Sequence, residues 1–245
     1  MAFDWTCESI RLSLFSSQTV KLSAQSWTAL TGQEEPEQEQ KGGGRHVFAS
    51  TMLGGQFNLG AIANRCDIIL SPVTLTEVPE DYIPAVGQWP SALEGFQAHV
   101  APFLEQLSFP VMRMAFAPVL VLPLKERLDA YKALVSLVKS IRQSPENMRD
   151  VLLRINWPQN STAVDGLTLN RITTWSVQQY QIQMFVSDGN SPAAFANELT
   201  YGVRLELDHN TDQKHASPFD VSRLVPIYKE LTNLALQNAT EGEIL

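Results

Sequence analysis

Along residues 9–16 (SIRLSLFS) apolar and polar side chains alternate, with Ile10, Leu12 and Leu14 to one side and Arg11 and Ser13 to the other. A period of two is the pattern of a half-buried β-strand. Short strands are expected next over 46–51, 55–59 and 65–72, the first two joined by a turn near Gly54-Gly55. The spacing then becomes helical. Leu93, Phe96, Val100, Phe103, Leu104 and Leu107 fall on one face, with Pro102 expected to kink the helix. Residues 111–122 (VMRMAFAPVLVL) read as a buried extended segment, because Pro110, Pro118 and Pro123 punctuate them. From 124 to 142 the stripe Leu124, Leu128, Tyr131, Leu134, Val135, Val138 and Ile141 predicts a helix.

Strands return in the second half, at 150–157, 168–186 and 201–208. Within 168–186, Trp175 and Val177 share one parity while Tyr180, Ile182 and Met184 share the other. A β-bulge near Gln178–Gln179 would bring both groups to the core side. In 201–208, Tyr201, Val203, Leu205 and Leu207 point inward, and the following HNTDQKHASP reads as a polar loop. Val221, Leu224, Val225, Tyr228, Leu231 and Leu234 mark a final helix.

Strands in blocks, rather than alternating singly with helices, predict an α+β fold. Mostly antiparallel sheet is expected, with helices packed on one face. The chain reads as a single globular domain over 1–245. The alternative division is two similar strand-then-helix halves, 1–145 and 146–245, although no residue-by-residue repeat links them. Residues 33–45 (QEEPEQEQKGGGR) are acidic, Gln-rich and end in three glycines, so a mobile loop is expected there.

Composition narrows the function classes. With 26 Asp plus Glu against 18 Lys plus Arg the net charge is −8, which repels a phosphate backbone and argues against nucleic acid. The densest basic run, Lys125, Arg127, Lys132, Lys139, Arg142 and Arg149, is interleaved with Glu126, Asp129, Glu146 and Asp150, as on a solvated helix face. Two isolated cysteines, Cys7 and Cys66, do not make a disulfide framework. No basic segment precedes an apolar stretch at the N-terminus, and no apolar run approaches a membrane span, so a cytoplasmic protein off the membrane is expected. The sequons at Asn160 and Asn238 then count as chance matches.

Candidate chemistry is sparse. Gly55-Gln-Phe-Asn-Leu-Gly60 opens like a phosphate-binding loop, but Ala61 and Ile62 stand where Lys and Ser or Thr are required. Gly42-Gly43-Gly44 lacks dinucleotide-loop spacing, and His46, His99, His209 and His215 form no zinc motif, so no cofactor and no metal are expected. Asp208 and His209, at the end of a strand, offer a general base or ligand. Their plainer role is a polar turn, in which Asp208 and Asn210 bond their own backbone. Asp67 beside Arg65 reads as a charge pair on an outward or edge strand face. The row Gln179, Gln181 and Gln183 presents a neutral, hydrogen-bonding strip to a peptide or sister subunit, or simply to water. With no nucleophile motif, the expected function is a non-enzymatic cytosolic interaction protein, a subunit or adaptor of a larger bacterial-type assembly with a protein partner or homo-oligomer. The alternative is a hydrolase whose site joins Asp67, Asp208 and His209, and this requires the strands at 65–72 and 201–208 to end side by side.

Overall fold

A computed structural model describes residues 3–74, 83–180, 183–187, 192–196 and 200–243. One large sheet runs β2-β3-β4-β5-β1-β7-β13-β10-β8, and every ladder among the described residues is antiparallel. Its strands are β1 (Thr6–Phe15), β2 (Gln38–Gly42), β3 (Arg45–Met52), β4 (Gly55–Ile62), β5 (Arg65–Ser71), β7 (Arg113–Leu124), β8 (Leu152–Asn156), β10 (Thr168–Tyr180) and β13 (Thr200–Thr211). Two short strands join at the side, β6 (Gly87–Gln88) on β1 and β9 (Gln159–Asn160) on β10. A separate ladder pairs β11 (Gln183–Ser187) with β12 (Pro192–Ala196). Among the described residues there are four helices: α1 (Ala24–Thr31), α2 (Trp89–Glu105), α3 (Arg127–Leu137) and α4 (Val221–Glu241). None is long and apolar enough to cross a membrane.

β1 lies inside the sheet, between β5 and β7, which is why its alternation is so clean. Ile10, Leu12 and Leu14 are fully buried, yet so is Cys7, of the opposite parity. The register shifts between Cys7 and Ser9, and this bulge at Glu8 restores Cys7 to the core side. In contrast, Gln178 and Gln179 pair with Gly202 and Tyr201 in unbroken register, so the phase change expected there is absent. The ladder that starts at Gln183↔Ala196 is one residue out of step with the one that ends at Tyr180↔Thr200. Gln181 and Ile182 lie outside the described residues.

Aromatic contacts seat the helices. Trp27 of α1 meets Phe48 with ring centroids 6.1 Å apart, Phe96 of α2 meets Phe57 edge-on at 5.9 Å, and Tyr228 of α4 meets Phe116 edge-on at 5.9 Å. Trp5 donates its indole N–H to the Ala239 carbonyl at 2.7 Å, tying the start of the sheet to the last helix. α1 has no sequence stripe, but its caps are in place. Ser23 and Ser26 form a capping box, and Gly32 at φ 74° closes the helix.

Several boundaries differ from the sequence expectation; Leu124, expected in a helix, is the last residue of β7, and α3 starts at Arg127. Within the expected loop 33–45, residues 38–42 form the edge strand β2. Gly43 and Gly44, both at positive φ (58° and 76°), make the two-residue turn into β3. All five β2 residues are exposed, so no apolar alternation announced the strand. α3 ends at Leu137, short of 142, because the Leu137 carbonyl accepts from Glu243 N–H at 2.8 Å instead of continuing the helix. Finally, His209, Asn210 and Thr211 continue β13, paired with Arg171, Asn170 and Leu169. The polar loop therefore begins three residues later than their polarity suggests, since tertiary pairing overrides local preference. The sheet is shared by the two sequence halves, with β7 of the first paired to β13 of the second.

Candidate functional site

On β13, Val203, Leu205, Leu207 and His209 are buried on one parity, while Arg204, Glu206 and Asp208 alternate with them at intermediate exposure. The second parity of the central strands forms a trough of about 450 Å³. Register builds it row by row. Ser9 of β1 pairs with Val119 of β7, Val119 with Glu206 of β13, Glu206 with Thr174 of β10, and Thr174 with Arg154 of β8. The neighbouring row holds Ile69, Arg11 and Ala117 on one side and Asp208 with Ile172 on the other. Ser9, Ala117 and Val119 are small, and this leaves a hollow between longer side chains on both flanks.

Its charges are asymmetric. Arg11 and Arg154 are exposed and have no ion-pair partner among the described residues. Glu206 is paired with Arg204, whose Nε also donates to Glu8 at 2.9 Å. Asp208 accepts from the Asn210 side chain at 3.0 Å. Two free guanidiniums therefore stand on opposite flanks of a floor that also carries two carboxylates. The arrangement can bind a partner's carboxylates in bidentate fashion and place cationic groups beside Glu206 and Asp208.

Beside the trough runs a polar ladder. Asp67 lies on β5, an interior strand rather than an edge, and its side chain is nearly covered. Its carboxylate accepts from Ser13 Oγ at 2.6 Å and from Arg65 Nε at 2.7 Å, so both oxygens are engaged. Arg113 lies over the Phe15 ring at 5.1 Å and donates to Asn210 at 3.1 Å; Asn170 donates to the same oxygen at 3.1 Å. Ser13→Ala would leave Asp67 short of one buried donor. The expected cost is about 1–2 kcal/mol of unfolding free energy in urea titrations, and an unchanged midpoint would show that Arg65 alone satisfies the carboxylate.

Asp67, Asp208 and His209 do not converge. Between β5 and β13 stand β1 and β7, which sets Asp67 and Asp208 about 14 Å apart at the usual strand spacing. His209, though adjacent to Asp208, has the opposite parity and is fully buried, its Nδ1 3.4 Å from the Leu231 carbonyl of α4. Burial, the largest cause, lowers its pKa to about 4; Arg171 acts in the same direction, while the Leu231 carbonyl, Asp208 and Asn238 oppose it. A neutral imidazole without solvent access is a core group here.

Burial pushes the thiols of Cys7 and Cys66 well above their usual range, and both are free. Among the described residues no cluster of three or more His, Cys, Asp or Glu is placed to hold a metal ion. Gln179 is exposed on β10, whereas Gln181 lies outside the described residues. Of the basic run, Arg127 donates to the Met148 carbonyl at 2.9 Å and lies over Tyr131, while Lys139 and Arg142 fall beyond the end of α3.

The trough residues missed in sequence, Arg11, Arg154 and Glu206, were visible only as the polar half of alternating strands. Which strands lie side by side is what turns that polar half into a site. Compared with protein-family models, curated proteins and solved structures, the chain matches none.

Proposed function

We propose that the chain is a non-enzymatic interaction protein, a cytoplasmic subunit or adaptor whose partner docks in the trough. In this reading the four helices cover one face of the sheet and leave the other as the contact surface. The observation that carries it is the pair Arg11 and Arg154, both exposed and unpaired among the described residues, on β1 and β8 at opposite sides of the trough with β7, β13 and β10 between them. An exposed guanidinium without a carboxylate is available to one supplied by a partner. Nothing comparable favours the hydrolase reading, since Asp67 is fully bonded and His209 faces away from Asp208.

The test is affinity capture of the tagged chain from its native cells, with eluates sized by light scattering. Recovery of a stoichiometric partner by the wild type is expected, falling about tenfold or more for Arg11→Glu at unchanged circular dichroism, as for an interfacial charge reversal. A chain that returns alone, or a partner retained equally by the variant, would overturn the proposal.

A further inference from the structure

The two path ends of the large sheet differ in character. At one end β2 (Gln38–Gly42) carries Glu39 and Lys41 and is exposed along its whole length, the charged form in which sheet edges resist pairing. At the other, β8 (Leu152–Asn156, LLRIN) carries a single charge, Arg154. Leu152 on it is 70% exposed, and Trp157 just beyond is 39% exposed. A bare apolar edge is a template for another strand.

The backbone says which groups are available. Trp157 N–H donates to the Arg171 carbonyl of β10 at 3.1 Å. With a period of two, Leu153 and Ile155 also turn their N–H and C=O toward β10, while Leu152, Arg154 and Asn156 turn theirs to the free side. We infer that β8 pairs antiparallel with β8 of a second copy of the chain, about a two-fold axis through Ile155.

The side chains choose both occupant and register. Centred on Ile155, the pairing sets Ile155 against Ile155 of the other copy, Leu153 against its Trp157, and Arg154 against its Asn156. That makes one unbroken apolar row on one face and, on the other, Arg154–Asn156 pairs with no like charges directly opposite. Shifting the axis to Arg154 places two guanidiniums directly opposite, which is unfavourable. The second copy thus supplies what the edge lacks: apolar cover for Trp157 and Leu153, and ladder partners for Arg154 and Asn156, while Leu152 meets Pro158, which accepts but cannot donate. Both troughs then lie on the same face of one continuous sheet, with the two Arg154 flanks facing each other across the axis. This inference is independent of what the trough binds.

The register makes the test specific. Ile155 and its symmetry mate form a non-hydrogen-bonded pair, with Cα atoms about 4.5 Å apart, within disulfide range. Single variants Ile155→Cys, Arg154→Cys and Leu153→Cys are oxidised with copper–phenanthroline as the electron acceptor, two thiols giving one disulfide. Cys7 and Cys66 are buried and supply no background. Covalent dimer is expected for Ile155→Cys, about tenfold above the other two variants, as close non-hydrogen-bonded geometry requires. Sedimentation of the wild type should also give twice the 27.3 kDa chain mass, shifted to monomer by Ile155→Arg. A wild-type monomer at all concentrations would overturn the inference, as would stronger cross-linking through Arg154→Cys. Capture of a partner through Arg11 would be unaffected by either result, so failure here and failure of the trough reading are distinguishable.

Discussion

Trp175→Ala is expected to lower unfolding free energy by about 3–5 kcal/mol, the range for removing a large aromatic from a packed core. The indole is fully buried in β10, opposite Leu205 of β13 on one side and Leu153 of β8 on the other. Its ring lies 6.2 Å from that of Trp5, and its N–H has no hydrogen-bond partner among the described residues, so the loss is one of packing and cavity rather than of a polar contact. Collapse around the gap is hindered because strands on both flanks are pinned by their ladders. Urea titration with matched slopes measures the shift. A loss below about 1 kcal/mol would mean that the core relaxes into the space, contrary to the close packing expected of interiors.

His209 sets the second large effect. Its folded-state pKa of about 4 lies below the ordinary 6.5. Above pH 6.5 the imidazole is neutral in both folded and unfolded chains, and its burial carries no protonation penalty. As pH falls from 6.5 toward 4, the unfolded chain takes up the proton and the folded one does not, so stability declines by up to about 3 kcal/mol before levelling off. The check is the slope of unfolding free energy between pH 7 and 5, a window above most carboxylate titrations. Wild type should lose stability there, and His209→Asn, which retains a side-chain donor for the Leu231 carbonyl, should run nearly flat from whatever starting value. Equal slopes would place the proton elsewhere.

The same residue marks where sequence reasoning stops. β1, β4, β5 and β7 were legible because each is interior with an apolar face buried, and in β7 Pro118 and Pro123 argued against a helix. α2 and α4 were legible from their stripes, Pro102 being accommodated within α2. β2 was not, since a fully exposed edge leaves no periodic trace. α1 was not, since eight residues with three buried give too short a stripe. The stretch from His209 to Thr211 was read as loop because its residues are polar. They are buried all the same, Thr211 Oγ1 accepting from Met114 N–H at 3.0 Å. The pairing of β13 with β7 and β10 satisfies groups that local chemistry assigned to water. Site chemistry was less legible still. Parity placed Arg11 on an outward face, but its relation to Arg154, 143 positions away in the chain, comes only from strand order.

Trp5 bonds a carbonyl 234 residues downstream, and β1 is flanked by strands that follow it in the chain. A growing chain made at about 5–20 residues per second holds this first strand for about 10–50 s before Ala239 exists to receive the indole. Contacts this distant in sequence also place the fold among slow folders, because loop closure precedes any gain from pairing. The nascent chain therefore presents Ile10, Leu12 and Leu14 uncovered until β5, α2 and β7, the last ending at Leu124, have followed. Whatever shields that apolar strip in the meantime acts on the kinetics of folding and leaves no mark on the finished protein.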